Sequence, residues 1–573
     1  MTEKELARVI WDRYESALEY QISSGIRKSI PEYVSFYEGK QWPAPTKNTK
    51  NLPRPVINIV KMICRLKKSA ILSTPVRIIY KCGDKSVDTD TLNDFSAHIL
   101  KEIDQDSIDR EAIDEATKKG SYFYHYFWNT ENGLDVGKLD CELIDPLNIF
   151  FENPCELDEQ KQKWIIISTR EEIDSVCRNS DTGLSIYDIL PEEENDGGQV
   201  GKNRLCTVLT MYYREGRGVH CVRSVKGAIV KSPFSIAPNI ALACDAMELK
   251  DGKERHSREA RLYPLVCGYY EKKDKCIYGL SEVEGLIPNQ KAINFNIAMS
   301  LLNAQEVAWG KYIALPGALK GQTINNAPGQ VLIDYSGTGN GIKKLQDNYM
   351  QSFPMELVKT ITDLTRSVTG TSEFMTGEVQ GSGMSGTAIA RLQSQAQLPI
   401  EDLRALFMSV KRKQGKVLAQ FFKLYYPSYS FTVEKDGCSQ RKCFICDNYR
   451  DAELEVLCEA VSGLNASAAG DISMLDTVLK HGKISLEAYI NAYPDDALTD
   501  KKKLLERIKD ERIGKEAIME SELKELTEQL KEANETIEKQ NSTVSRVLSI
   551  IRENQQLKEF ISKEYTNGGL YKN

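Results

Sequence analysis

The stretch GEVQGSGMSGTAIARLQSQAQLP, residues 377–399, sets Gly381 and Gly386 at the spacing of a phosphate-binding loop. Such a loop needs a lysine after its second glycine to neutralise phosphate charge, then a hydroxyl for magnesium. Thr387 stands where the lysine should be, and the surroundings carry Glu373 and Glu378 with no basic residue. A nucleotide phosphate would meet negative charge there. The stretch reads instead as a flexible, small-residued, faintly acidic loop, with Ser385 or Thr387 able to cap the helix that follows. Pro399 falls inside that helix pattern and removes one backbone donor, which predicts a kink near residues 395–399. A loop hinged on a kinked helix is a mechanical device more than a catalytic one.

Other residues with chemical potential fall short of a site. Cys438, Cys443, Cys446 and Cys458 include one C-x-x-C, but structural zinc sites usually show two such knuckles. These cysteines read as reduced and packed. The run SYFYHYFW could stack bases, yet without a basic surround it reads as a core strand. His125 and His220 lack a matching ligand set and read as structural. Asp104, Asp106 and Asp109 read as a solvated helix face. No Ser/His/Asp or Cys/His set stands out, so neither an enzyme nor a cofactor or metal is expected.

The whole chain bounds these readings. Its 573 residues exceed what one core usually needs, so several domains or an elongated subunit are expected. Composition is ordinary for a folded chain, at 41% hydrophobic and 27% charged. A net charge of −7 argues against gripping nucleic acid by its phosphates, though not against letting DNA slide past. No apolar run is long enough to span a membrane, and the N-terminus is charged throughout, so assembly in a cytoplasm is expected.

Elements must position the loop. Residues 3–22 read as an amphipathic helix with Leu6, Val9, Ile10 and Tyr14 on one side, and a second helix opens after Pro55 and ends at Pro75. Residues 84–117 look helical. A β region follows, with DPLNIFFENP as an ordered loop, KWIIIST as a strand and residues 190–204 as a surface loop. From Ser281, a capping box with Glu284 opens a long helix. Further helices are expected over 354–368 and 387–425, short strands over 428–460, and small helices over 465–513. In the last 50 residues, Leu523, Leu530, Ile537, Val544 and Ile551 recur every seven positions. Leu526, Ala533, Val547 and Ile561 follow three later, interrupted by Gln540 and Asn554. That is a heptad seam for self-association.

Taken in order, these stretches resemble the bacteriophage portal protein family. SFYEGKQW with LPRPVINIVKMI resembles its N-terminal pattern, and DPLNIFFENP with KWIIIS its wing. YGLSEVEGLIPNQKAINFNIAMSLLNAQEVAW resembles the stem helix, and GSGMSGTAIARLQSQAQLPIEDLR the tunnel loop and tunnel helix. Coverage runs from about residue 30 to 510, and each stretch is weak without the others.

The resemblance implies an α+β portal fold. Its parts would be a clip and wing over 1–279, a stem over 280–370, a tunnel loop over 371–386 and a kinked tunnel helix over 387–426. Wing strands over 427–464, a helical crown over 465–514 and a heptad helix over 515–573, coiled-coil or barrel-like as in the long barrel helix that some portals append, would follow. It also implies a ring, typically a dodecamer, at one capsid vertex of a virion assembled in the host cytoplasm. The ring would pass double-stranded DNA without sequence preference. Its partners would be terminase, the major capsid protein and head-completion or tail adaptor proteins, with no membrane. Glu378, Gln380, Ser382, Met384 and Ser385 would face the channel, Pro399 would be the hinge, and Leu523, Leu526, Leu530, Ile537, Val544, Val547 and Ile551 would form an oligomer seam. Arg391, Arg404, Lys411, Arg412, Lys413 and Lys416 would line the channel or bridge to neighbouring subunits. Two alternatives are a coiled-coil scaffold without a channel and a zinc- or nucleotide-dependent nucleic-acid-processing enzyme.

Overall fold

Runs of β-branched and aromatic residues build the sheets, and the three- and five-stranded sheets contribute buried apolar residues to cores shared with helices. The structure is a computed structural model. It describes the chain except residues 1, 48, 85–86, 130–136, 190–204, 217, 236–259, 309–310, 325–330, 338, 345–352, 372–385, 436–437, 450–451, 461–474, 483, 493–500 and 568–573. Side chains at some positions within elements, including 386–397 and 511–517, are also outside the description. The expected loop at 190–204 is among the residues left out.

The fold is mixed α+β and divides into two compact units, residues 1–463 and 464–573. In the first unit, helix α1 (Glu3–Ser23) begins at a capping box formed by Thr2 and Glu5. Its Ala7, Ile10 and Trp11 pack on Ile166, Leu209, Met211 and Val222. Those residues belong to a five-stranded antiparallel sheet. Its strands, in order, are β4 (Ile149–Phe151), β5 (Trp164–Glu172), β6 (Leu205–Glu215), β7 (Gly218–Val225) and β8 (Ala228–Ser235). The DPLNIFFENP segment, expected as a loop, contains β4, whose three residues are all buried. The two prolines bracket a strand too short to show alternation.

Helix α2 (Ile26–Glu38) was not foreseen in the sequence; Pro31 sits within it. Helix α3 (Ile59–Ile71) leads to β1 (Val76–Cys82). The helical region expected over 84–117 is two helices, α4 (Thr89–Glu102) and α5 (Gln105–Lys119), broken where Asp104 takes a left-handed backbone at φ 53°. Strand β2 (Ser121–Asn129) is the aromatic run, and it lies between β3 (Lys138–Ile144) and β9 (Leu265–Tyr269). Six of its residues are buried in succession, so it is a core strand, as its composition indicates.

Helix α6 (Ile173–Arg178) is short, and α7 (Glu282–Ala308) is the long helix expected after Ser281. The Val283 amide donates to Ser281 Oγ at 3.0 Å, and that hydroxyl donates to the Thr117 and Lys118 carbonyls at the end of α5. One hydroxyl thus caps one helix and ties it to another. Beside it, Gly120 and Gly279 approach so closely that a Cβ on Gly120 would lie 2.6 Å from the Gly279 carbonyl oxygen. Phe36 of α2, Ile63 of α3 and Val283, Leu286 and Ile293 of α7 form one apolar cluster. A small antiparallel pair, β10 (Tyr312–Ala314) and β11 (Ile342–Lys344), precedes α8 (Phe353–Val368). Then comes α9 (Gly386–Tyr425), whose Phe421 and Phe422 reach the main core with Phe95 and Tyr80. The strands over 428–460 are a hairpin of β12 (Ser428–Lys435) with β13 (Cys438–Ile445), and β14 (Leu454–Ala460), which pairs antiparallel with β1.

In the second unit, α10 (Leu486–Ala492) precedes α11 (Lys501–Asn567), a single helix of 67 residues. The boundary expected at 514/515 therefore falls inside one continuous helix. Gly514 marks no stop, because an isolated helical glycine costs only about 1 kcal/mol against alanine.

Candidate functional site

The residues singled out in the sequence converge on α9 and the loop before it. The loop positions Glu378, Gln380, Ser382, Met384 and Ser385 lie outside the described residues. Both of its anchors are described. At one end, α8 closes in a Schellman motif: the Gly370 amide donates to the Ser367 carbonyl, and the Thr371 amide to the Arg366 carbonyl at 3.0 Å. Gly370 takes φ +70°, a backbone that favours glycine. Thr371 is buried, and its hydroxyl lies 2.9 Å from that of Thr369. At the other end, Pro399 sits inside the continuous helix α9 and leaves the Gln395 carbonyl without its usual amide four residues on. The two anchors touch, since a Cβ on Gly370 would lie 2.9 Å from the Pro399 Cβ.

Beyond Pro399, α9 is locked to the body of the first unit. Arg404 donates to the Ala70 carbonyl at 2.6 Å and to Ser73 Oγ at 2.7 Å, at the end of α3. Lys411 and Asp109 form a buried ion pair, extended by Gln105 and by the Tyr124 hydroxyl, both donating to Asp109. Lys413 pairs with the almost fully buried Glu159 at 2.7 Å. Burial pushes the Glu159 carboxyl up, against the pull of the Lys413 ammonium. Burial also disfavours the Lys413 charge, but its partner more than compensates and the ammonium titrates above its ordinary value.

Two sequence readings are corrected here. Asp109 is not part of a solvated face; Asp104 and Asp106 are exposed, but Asp109 is buried and paired. Arg404, Lys411 and Lys413, expected to line a channel or bridge between subunits, bind partners within their own chain. Their partners come from segments hundreds of residues away, so helix periodicity shows the face but not what meets it. Arg412 and Lys416 are exposed, and the Arg391 side chain lies outside the description. Lys416 borders an open cavity of about 920 Å³ with Asp84, Asp447, Asn448, Glu453 and Glu455.

Cys443 is exposed on β13, Cys446 is buried in a short turn after it, and Cys458 lies on β14 in another sheet. Among the described residues, no group of three or more His, Cys, Asp or Glu side chains is placed to hold a metal ion. His125 lies 2.8 Å from Glu142 and 2.7 Å from the Tyr212 hydroxyl, packed inside the sheets. His220 lies against the Tyr213 ring.

Two exposed surfaces stand out. Phe295 and Leu301 on α7, with Met355, Leu364 and Val368 on α8, leave apolar side chains in water; Val368 is 86% exposed. On α11 the seam residues Leu523, Leu526, Leu530, Ile537, Val544, Val547 and Ile551 are all exposed. Apolar surfaces of this extent usually mark interaction sites. Among the described residues, no helix is long and apolar enough to cross a membrane. No protein-family model matches the chain, and no curated protein matches it.

Proposed function

We propose that the chain is the subunit of a phage portal, a ring through which DNA enters and leaves a capsid. The observation that carries this reading is the order of parts around the loop. The long helix α7, the returning helix α8, the short loop and the proline-bearing helix α9 follow one another as stem, tunnel loop and tunnel helix would. The exposed apolar residues on α7 and α8 are where subunits would meet side by side, closing a ring by one repeated heterologous contact.

In this mechanism the chain performs no chemistry. Terminase docks on the ring and supplies the force from ATP, while DNA moves through the channel past the loops. The pairs made by Arg404, Lys411 and Lys413 hold the C-terminal part of α9 fixed. Pro399, in contact with Gly370, would be the hinge at the start of that fixed part. A net charge of −7 per copy favours sliding over gripping. Capsid protein and head-completion or tail proteins take the remaining surfaces of the vertex.

The coiled-coil scaffold remains a second reading, favoured by the exposed seam of α11. Deleting residues 515–573 separates the two. A ring held by the first unit survives the deletion in negative-stain images, whereas a scaffold held by the seam falls to monomers.

A further inference from the structure

The basic residues of the chain are unevenly spread. From Gly39 to Gly83 the sequence holds ten Lys and Arg and no Asp or Glu, in a chain whose net charge is −7. The fold engages most of that stretch. Lys67 pairs with Glu282, Lys68 with Asp114 and Lys40 with Glu38. Arg77 and Lys81 on β1 stand opposite Glu459 and Glu455 on β14. Lys61 lies over the Tyr37 ring, and Arg65 sits within reach of that tyrosine's hydroxyl. Lys47, Lys50 and Arg54 remain, on the loop 43–54 between α2 and α3. The loop is held shut at its foot. The Trp42 indole N–H donates to the Pro55 carbonyl at 2.9 Å, and Arg54 donates to the Pro43 carbonyl at 2.9 Å. Pro43, Pro45, Pro53 and Pro55 fix φ along both legs. At the tip, the Thr46 amide donates to Thr49 Oγ1 at 3.0 Å and the Thr49 amide to the Thr46 carbonyl at 3.1 Å. Lys47 and Lys50 are exposed there, and among the described residues no carboxylate pairs with either. Compact surface loops whose ends meet are frequent carriers of function.

We infer that this loop is a contact for the sugar-phosphate backbone of a double-stranded nucleic acid, with Lys47 and Lys50 meeting phosphates and Arg54 adding to the positive field at the foot. Lys, Arg, Thr and Asn are among the side chains that contact phosphate oxygens without reading sequence. The tip from Thr46 to Asn51 holds only Thr, Lys and Asn. A protein partner would need an apolar anchor at the centre of the contact, and the tip offers none. The exposed apolar residues Val56 and Ile57 lie beyond the foot. A single strand would need open rings on which its bases could stack, whereas Trp42 is half-buried with its N–H engaged. The net charge of −7 does not oppose the contact, because salt screens exposed charges beyond about 10 Å at 0.1 M. Two lysines per chain bind weakly, and copies side by side would add their contacts. The inference stands on the loop's own charge and shape and does not rest on the portal reading.

The test is fluorescence anisotropy of a short labelled duplex of mixed sequence with the full-length chain across a salt series, duplex DNA in one arm and duplex RNA in the other. Binding to at least one duplex is expected, weakening steadily as salt rises. Lys47→Gln with Lys50→Gln weakens it and lowers the slope of log affinity against log salt by about 1 for each lysine that meets a phosphate. Lys524→Gln with Lys531→Gln, which removes the same charge from α11, leaves binding unchanged. Four results overturn the inference: no binding at low salt, binding untouched by the loop pair, an equal loss from both pairs, or polyglutamate bound more tightly than either duplex, which would assign the loop to an acidic protein. A ring without duplex binding leaves the portal reading standing, and duplex binding by a chain that forms no ring leaves this inference standing.

Discussion

The pair of Lys411 and Asp109 shows what one residue contributes here. Two charges almost out of water are tolerable only together, and Gln105 and Tyr124 both donate to the Asp109 oxygen that Lys411 does not take. Removing one partner strands the other: Lys411→Met is expected to cost about 3–5 kcal/mol in denaturant unfolding of the first unit. An unchanged midpoint would show that the pair does not hold α9. Asp114 gives a pH signature. Burial opposes its charge, but hydrogen bonds from Lys118 and Lys68 outweigh it and hold the carboxyl below its ordinary 3.8. A folded value below the unfolded one gives stability that is present above about pH 4 and lost as pH falls through the folded value. Asp114→Asn should therefore flatten the fall in stability below pH 4, read as Tm against pH. None of this pairing was legible in the sequence, where Asp109 is simply an acid on an acid-rich helix.

Among elements, legibility followed length and caps. Helices α1, α7, α8 and α9 are long and periodic, and the structure places them within a few residues of the sequence expectation. Helix α2 was missed because Pro31 lies within it, and β4 because three residues cannot show a period. Strand β1 was missed because its partner, β14, lies more than 370 positions away, as in Val76 opposite Ala460. The boundary expected at 514/515 lies inside α11, which runs through it without a stop. The segment where the glycines predict a loop, residues 372–385, lies outside the described residues, and Gly370 just before it could have been read as a helix-ending glycine. Gly370→Ala puts a Cβ against Pro399 in a left-handed backbone. A loss of about 1–2 kcal/mol is expected from the backbone strain alone, measured by chemical denaturation. A loss no greater than for Gly285→Ala, where a Cβ has open space, would remove the proposed hinge contact.

At the scale of the molecule, two associations of one chain are proposed. In the proposed assembly the first unit would supply the ring through α7 and α8, and α11 would add a second, separable association. Removal of 515–573 should leave the first unit folded with unchanged thermal unfolding, since its three largest apolar clusters lie entirely before residue 464. The most direct test is the mass and shape of the purified full-length protein, by native mass spectrometry with negative-stain images. The account predicts a closed ring of about twelve copies with a central hole, consistent with cyclic symmetry built from one repeated contact. A dimer, a trimer or a rod that falls apart without residues 515–573 would contradict it.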